Sequence, residues 1–131
     1  MTLEEKRDAT RIEHMHDIIQ RISVLMGALE KEAFLADEMR CEALAHRLTQ
    51  LGEAANKLSR AFKASHAEID WRRTVEFRND IVHEYSVISY EEMWQRAETD
   101  VVELGRALKP IYDALEHEPP LTEQDLQALE Q

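Results

Sequence analysis

Leu44, Leu48, Leu51, Ala55, Leu58 and Phe62 recur at alternating steps of four and three residues, and this spacing restricts the fold more than any other feature of the chain. At 3.6 residues per turn such positions share one helix face, whereas a half-buried strand needs a period of two. The same stepping recurs in Ile12, Met15, Ile19, Ile22, Met26 and Leu29, with Ile18 and Leu25 widening the stripe. It returns in Met93, Ala97, Val101, Leu104, Leu108, Ile111 and Leu115. Three glycines and three prolines in 131 residues are too few for the repeated tight turns of an all-β chain, so the fold class is all-α.

Turn and cap signals divide the pattern. The first helix is expected over residues 3–30, and a second from the N-cap Asp37 to about Lys63. Ser65-His66 falls in a turn. A third helix opens near Asp70, includes Trp71 and runs to about His83. Ser89-Tyr90-Glu91-Glu92 has the form of a capping box and opens the fourth. Pro110 should kink or restart that last helix, since proline removes a backbone donor and clashes with the preceding turn. Gly27, Gly52 and Gly105 all fall inside predicted helices, where each costs about 1 kcal/mol relative to alanine. Close helix–helix approach is the reason expected, above all for Gly52 beside Ala54 and Ala55. The expected architecture is an antiparallel four-helix bundle with a kinked or broken last helix. It occupies residues 1–117, followed by a polar C-terminal tail over 118–131.

Composition narrows the setting. A single cysteine, Cys41, permits no intramolecular disulfide and points to a reducing compartment. The acidic, polar start is unlike a signal peptide, and no apolar run approaches the roughly 20 residues that span a bilayer. A cytoplasmic protein without a membrane partner is expected. The net charge is −11, which on its face disfavours nucleic acid. Its distribution is uneven. Residues 47–78 carry seven basic and four acidic side chains, whereas residues 79–131 carry three and thirteen. A basic island of this kind is either a solvated helix face or a phosphate-binding surface.

The segment Arg78-Asn79-Asp80-Ile81-Val82-His83-Glu84-Tyr85 concentrates reactive groups. On a helical projection Trp71, Val75 and Val82 lie within about 40° of one another and define a core-facing stripe. Arg78 sits on the edge of that stripe, so its guanidinium must reach a groove mouth or find a buried partner. His83 lies about 140° around from Arg78; it is either a cation at a helix C-terminus or a proton-transfer group. Tyr85 is by default a half-buried aromatic with its hydroxyl outward. Taken together, arginine can grip and neutralise a phosphate, histidine can exchange protons near neutral pH, and Asn79 can orient either one. Such a set suffices for metal-independent RNA cleavage, in which the ribose 2′-hydroxyl attacks its own phosphate, a nucleophile DNA lacks.

The spacing arginine, four residues, histidine, one residue, tyrosine resembles the signature of the HEPN superfamily, and within it the HepT-like ribonuclease toxins. Leu51-Gly52-Glu53-Ala54-Ala55 and Trp71 are similar to that family as well, and the likeness covers roughly residues 5–115. The resemblance implies an endoribonuclease toxin of a bacterial or archaeal toxin–antitoxin pair, with Arg78, Asn79 and His83 catalytic. It implies a homodimer whose paired motifs line an interfacial cleft, RNA as substrate and no cofactor. It also implies an MntA-like minimal nucleotidyltransferase antitoxin that adenylylates Tyr85.

Two other readings remain open on the residues alone. One is a non-catalytic helical adaptor that binds a nucleotidyltransferase or a nucleotide through Arg78 and Tyr85; the other is a purely structural bundle. No metal site is expected: His14 and His16 are two residues apart, wrong for one helix face, and His46, His66 and His117 stand isolated. No glycine-rich phosphate loop or nucleophile elbow is present.

Overall fold

The long apolar stripes supply the buried faces of helices. The computed structural model describes residues 2–82, 88–115 and 123–129. Among these, helix α1 is Leu3–Gly27, α2 is Lys31–Leu35, α3 is Glu38–Asn56, α4 is Arg60–Ser65 and α5 is Trp71–Val82. Helix α6 (Tyr90–Arg96) passes through a π-helical segment (Ala97–Val101) into α7 (Val102–Leu115), and α8 (Glu123–Leu129) lies in the tail. No strand occurs among the described residues. The long elements α1, α3, α5 and α6–α7 form an all-α bundle in which α3 packs between α1 and α5, and α1 also packs on α7.

Caps set the boundaries. Thr2 and Glu5 form a reciprocal capping box at the start of α1. Asp37 accepts from Arg40 N–H at 3.2 Å, Asp70 from Arg73 N–H at 3.0 Å and Ser89 from Glu92 N–H at 3.1 Å, each satisfying a first-turn donor that the helix leaves unpaired. Asp37, Asp70 and Ser89 stand where the sequence places helix starts.

The core follows the stripes. Ile12, Met15, Ile18, Ile19 and Ile22 of α1 meet Leu44, Leu48, Leu51 and Ala55 of α3, and Met93, Ala97, Val101, Leu104 and Leu108 close the other side. Burying one large aliphatic side chain contributes about 1.5–3 kcal/mol, so these three rows are the main stabilising term. Phe34 of α2 is fully buried and lies tilted against Trp94, with ring centroids 4.7 Å apart.

Four expectations are corrected. The second helix does not run on to Lys63: α3 ends at Asn56, and Ser59 caps a separate α4. The cause is tertiary. Buried Asp8 of α1 accepts from Ser59 N–H at 2.8 Å and from its hydroxyl at 2.6 Å. That pair holds the chain out of helix, while Leu58 keeps its place in the core. The last helix is interrupted not at Pro110 but at the π segment, and α7 continues through the proline. Pro110 and Arg106, whose carbonyl loses its donor, are both exposed, so water can replace the missing bond.

The third correction concerns α5. Val82 is exposed and Phe77 is buried in its place, with Trp71 buried and Val75 and Ile81 packed at the core margin. The buried face is therefore turned toward Thr74, Phe77 and Arg78. Lastly, Gly27 has nothing within 4 Å of where a Cβ would stand, so close approach does not explain it. It does explain Gly52. A Cβ there would overlap Arg78 Cβ and lie 2.8 Å from Arg78 Cγ and 3.2 Å from the Thr74 carbonyl. Gly105 is close-packed in the same sense, with Ile19 Cγ2 at 3.2 Å.

Cys41 is fully buried, and its thiol donates to the Phe34 carbonyl at 3.4 Å. Burial, reinforced by the negative charges of Asp37 and Glu38, pushes this thiol above its ordinary range. The neutral form is favoured in the fold, and the thiolate that reacts with electrophiles is scarce. Native protein at pH 8 should therefore label with iodoacetamide far more slowly than urea-unfolded protein; equal rates would show that the α2–α3 corner is open.

Gly52→Ala would gain about 1 kcal/mol of helix propensity, but overlap with Arg78 and the Thr74 carbonyl costs about 1–3 kcal/mol. The clash involves a Cβ and a backbone oxygen, neither of which can swing aside. The expected outcome is a net loss of stability, read as a lower urea midpoint at unchanged slope; a midpoint at or above that of the wild type would overturn the packing argument.

Candidate active site

Arg78 occupies the last turn but one of α5, against the bare backbone of α3 that Gly52 provides. Its side chain is one-third exposed (33% of its area). Nη1 donates to Asn79 Oδ1 at 3.0 Å, and Nη2 lies 3.5 Å from Glu53 Oε1. Nε is buried, with no hydrogen-bond partner. A guanidinium has five N–H donors. With one committed to Asn79 and one to Glu53, each terminal nitrogen keeps a further N–H for an incoming anion. The sequence posed a groove mouth or a buried partner; the structure gives Arg78 a half-exposed partner, Glu53, at the surface.

Asn79 is exposed, and among the described residues its carbonyl oxygen is directed to Arg78. It holds the guanidinium rather than leaving it to rotate freely. Glu53 belongs to the Leu51-Gly52-Glu53-Ala54-Ala55 stretch. The glycine admits the arginine stem, and the next residue supplies the counter-charge. His83 and Tyr85 lie outside the described residues. Among the described residues no group of three or more His, Cys, Asp or Glu side chains is placed to hold a metal ion.

The opposite flank of α5 is fixed by a network that sequence reasoning missed. Arg96 lies over the Phe77 ring at 3.8 Å and reaches Asp80 at 3.2 Å and Asp100 at 3.7 Å. Asp100 also pairs with Arg73 at 3.0 Å, and its side chain is only 14% exposed. Thr99 and Asp100 lie in the π segment, which re-aims the chain by one residue. That register brings an acid from the fourth long element onto α5. The signal was faint: Arg73, Asp80, Arg96 and Asp100 each read as ordinary surface charges. Only Arg96 and Asp100, four residues apart, hinted at pairing.

The sequence model of the family Ribonuclease HepT-like matches residues 15–111. Among curated relatives, a candidate RNase of Caldanaerobacter subterraneus subsp. tengcongensis is 24% identical over 76% of this chain and 89% of its own length. The probable ribonuclease HepT of Thermococcus cleftensis is 26% identical over 70% of this chain and 86% of its own. A candidate RNase of Methanocaldococcus jannaschii is 26% identical over 76% and 83%. No solved structure matches the chain.

Arg96→Ala removes the ring contact and two ion pairs from a side chain that is 24% exposed, and should cost about 1–2 kcal/mol. Arg72→Ala breaks only a solvent-exposed pair with Glu76 and should stay within about 0.5 kcal/mol of wild type. Urea melts of the two variants side by side check the ordering; equal losses would mean that the network does not anchor α5.

Proposed function

Because the chain belongs to the Ribonuclease HepT-like family, it is an endoribonuclease, and we propose that it cuts RNA without a metal, using Arg78, Asn79 and His83. The observation that carries this reading is Arg78. It is a cation packed into a glycine-lined notch, held by Asn79 and Glu53, with N–H donors to spare. A structural arginine at this place would gain more from full pairing, since its Nε stays without a partner.

In the proposed reaction the 2′-hydroxyl of one nucleotide loses its proton and its oxygen bonds to the adjacent phosphorus. The bond from phosphorus to the 5′-oxygen breaks, and that oxygen gains a proton. The products are a 2′,3′-cyclic phosphate and a free 5′-hydroxyl. His83 handles the protons, and Arg78 neutralises charge on the phosphoryl oxygens as it builds, where preformed donors are worth most. Asn79 keeps the guanidinium aimed, and Tyr85 assists. A homodimer that sets two motifs across one cleft would supply a histidine for each proton.

The same reading makes the protein the toxin of a toxin–antitoxin pair. Its antitoxin would be an MntA-like nucleotidyltransferase that places AMP on Tyr85. The added bulk and negative charge would stand where RNA phosphate has to approach.

The test is cleavage of a labelled RNA by protein purified alone, in EDTA, beside Arg78→Ala and His83→Ala. Wild type should cut RNA, leave DNA of the same sequence intact and show a bell-shaped pH profile; each variant should lose on the order of 10²-fold or more in rate. Strict dependence on magnesium or manganese, or full activity of His83→Ala, would overturn the mechanism. Harmless expression of wild type with no cleavage would favour the adaptor role.

A further inference from the structure

The net charge of −11 conceals a basic groove between α1 and α3. It has a volume of about 290 Å³, and its polar lining is Arg11, His14, Arg47, Gln50, Glu53 and Lys57, with Asp17 at its side. We propose that this groove is a phosphate-backbone subsite that carries single-stranded RNA to Arg78, a proposal that rests on the ribonuclease reading above.

The first argument is charge pairing. Both acids of the groove are already engaged: Asp17 with Arg21 at 2.9 Å, Glu53 with Arg78 at 3.5 Å. Arg47 donates to the neutral amide of Gln50 at 3.1 Å. Among the described residues neither Arg11, Arg47 nor Lys57 has an acidic partner within 4.0 Å. These three cations converge on one groove of a chain whose net charge is −11. The excess acid does not cancel them, because screening confines fields to about 8 Å at physiological salt.

The second argument is continuity. Glu53 lines the groove and also holds Arg78, so the groove ends where the proposed scissile phosphate would sit. The third is length. Arg47 of α3 and Lys57, the residue that caps its C-terminus, are ten residues apart along the helix axis, about 15 Å at 1.5 Å per residue. That is several times the rise between neighbouring phosphates on a helical strand, so the groove suits a run of backbone rather than one anion. Its lining contains no Phe, Tyr or Trp, which removes base stacking and leaves contacts to phosphate that carry no sequence preference. Arg11, Arg47 and Lys57 are thus binding residues, distinct from the catalytic set.

The test replaces Arg11, Arg47 and Lys57 together by glutamine, which keeps most of each stem, beside a control triple of Lys31→Gln, Arg106→Gln and Lys109→Gln away from the groove. Thermal melts confirm that both triples fold. Binding of a fluorescein-labelled single-stranded RNA is read by anisotropy against salt in the His83→Ala background, and cleavage in the wild-type background. The groove triple should bind at least ~10-fold more weakly, with the slope of log Kd against log salt reduced by about 2, given roughly 0.7 for each single-strand phosphate that the protein no longer neutralises. KM should rise while kcat holds, and single-stranded DNA should compete with the RNA for binding. A groove triple that matches the control in Kd, salt slope and KM while wild type cuts RNA would sink the groove alone; failure of the DNA to compete would do the same. Binding abolished only in the groove triple, with no cleavage by wild type, would keep the groove and sink the ribonuclease reading.

Discussion

The approach of α3 to α5 at Gly52 is the contact on which the candidate site depends. An arginine stem on a buried helix face normally forces two helices apart or leaves a charge stranded. Here the missing Cβ of Gly52 makes room for the first carbons of Arg78, and the adjacent Glu53 receives the guanidinium at the surface. The helix penalty of an interior glycine is about 1 kcal/mol, and a core built on three apolar rows tolerates it. What results is a cation whose stem is immobilised by packing while about a third of the side chain stays open to water. On the proposed mechanism that combination is what a phosphate-binding group needs, since donors fixed beforehand do not have to reorganise during the reaction.

A motif helix held on one side only would still rock. The second side is supplied by Arg96, lying on Phe77 and joined to Asp80 and Asp100. The π segment departs from regular α-helix, and such segments are rare and frequently lie at functional sites. In this fold the altered register sets Asp100 against Arg73 and Arg96 while Ala97 and Val101 remain in the core. Asp80, two residues beyond Arg78, is thereby tied to α6.

Much of this was legible from residues alone, and the reasons differ by element. The stripes of α1, α3 and α7 are long and regular, so periodicity identified both the helices and their buried faces. Gly52 was readable because a glycine beside two alanines inside a strong helix is best explained by close helix approach. The short α5 was harder: over twelve residues the projections of Val82 and Phe77 compete, and tertiary packing chose the aromatic. The break at Ser59 was hidden because Leu58 and Phe62 continue the stripe across it; its cause, Asp8, lies 51 residues upstream. Pro110 misled for the converse reason, since proline disrupts a helix less when the orphaned carbonyl faces water. His83 and Tyr85 belong to the motif by spacing, and their part in the chemistry rests on family likeness and on proposal.

The acidity of the chain and an RNA substrate are compatible once charge is treated locally. Affinity for a strand depends on cations within a Debye length of its phosphates, about 8 Å at physiological salt, and the α1–α3 groove concentrates them there. Acid elsewhere, thirteen carboxylates against three cations after residue 78, disfavours loose binding over the remaining surface and so sharpens the contrast between groove and background. Glu53 is where the two tendencies meet. It pairs with Arg78, and a phosphate oxygen would meet the N–H donors which that pair leaves free. At 3.5 Å, and with about half of the carboxylate side chain exposed, that pair contributes at most about 1 kcal/mol to the fold; its part is to aim the guanidinium and to occupy an acid of the groove. A phosphate can take two charge-assisted N–H bonds from the free side of the guanidinium while Glu53 keeps its own contact, so the groove stays basic as the strand binds.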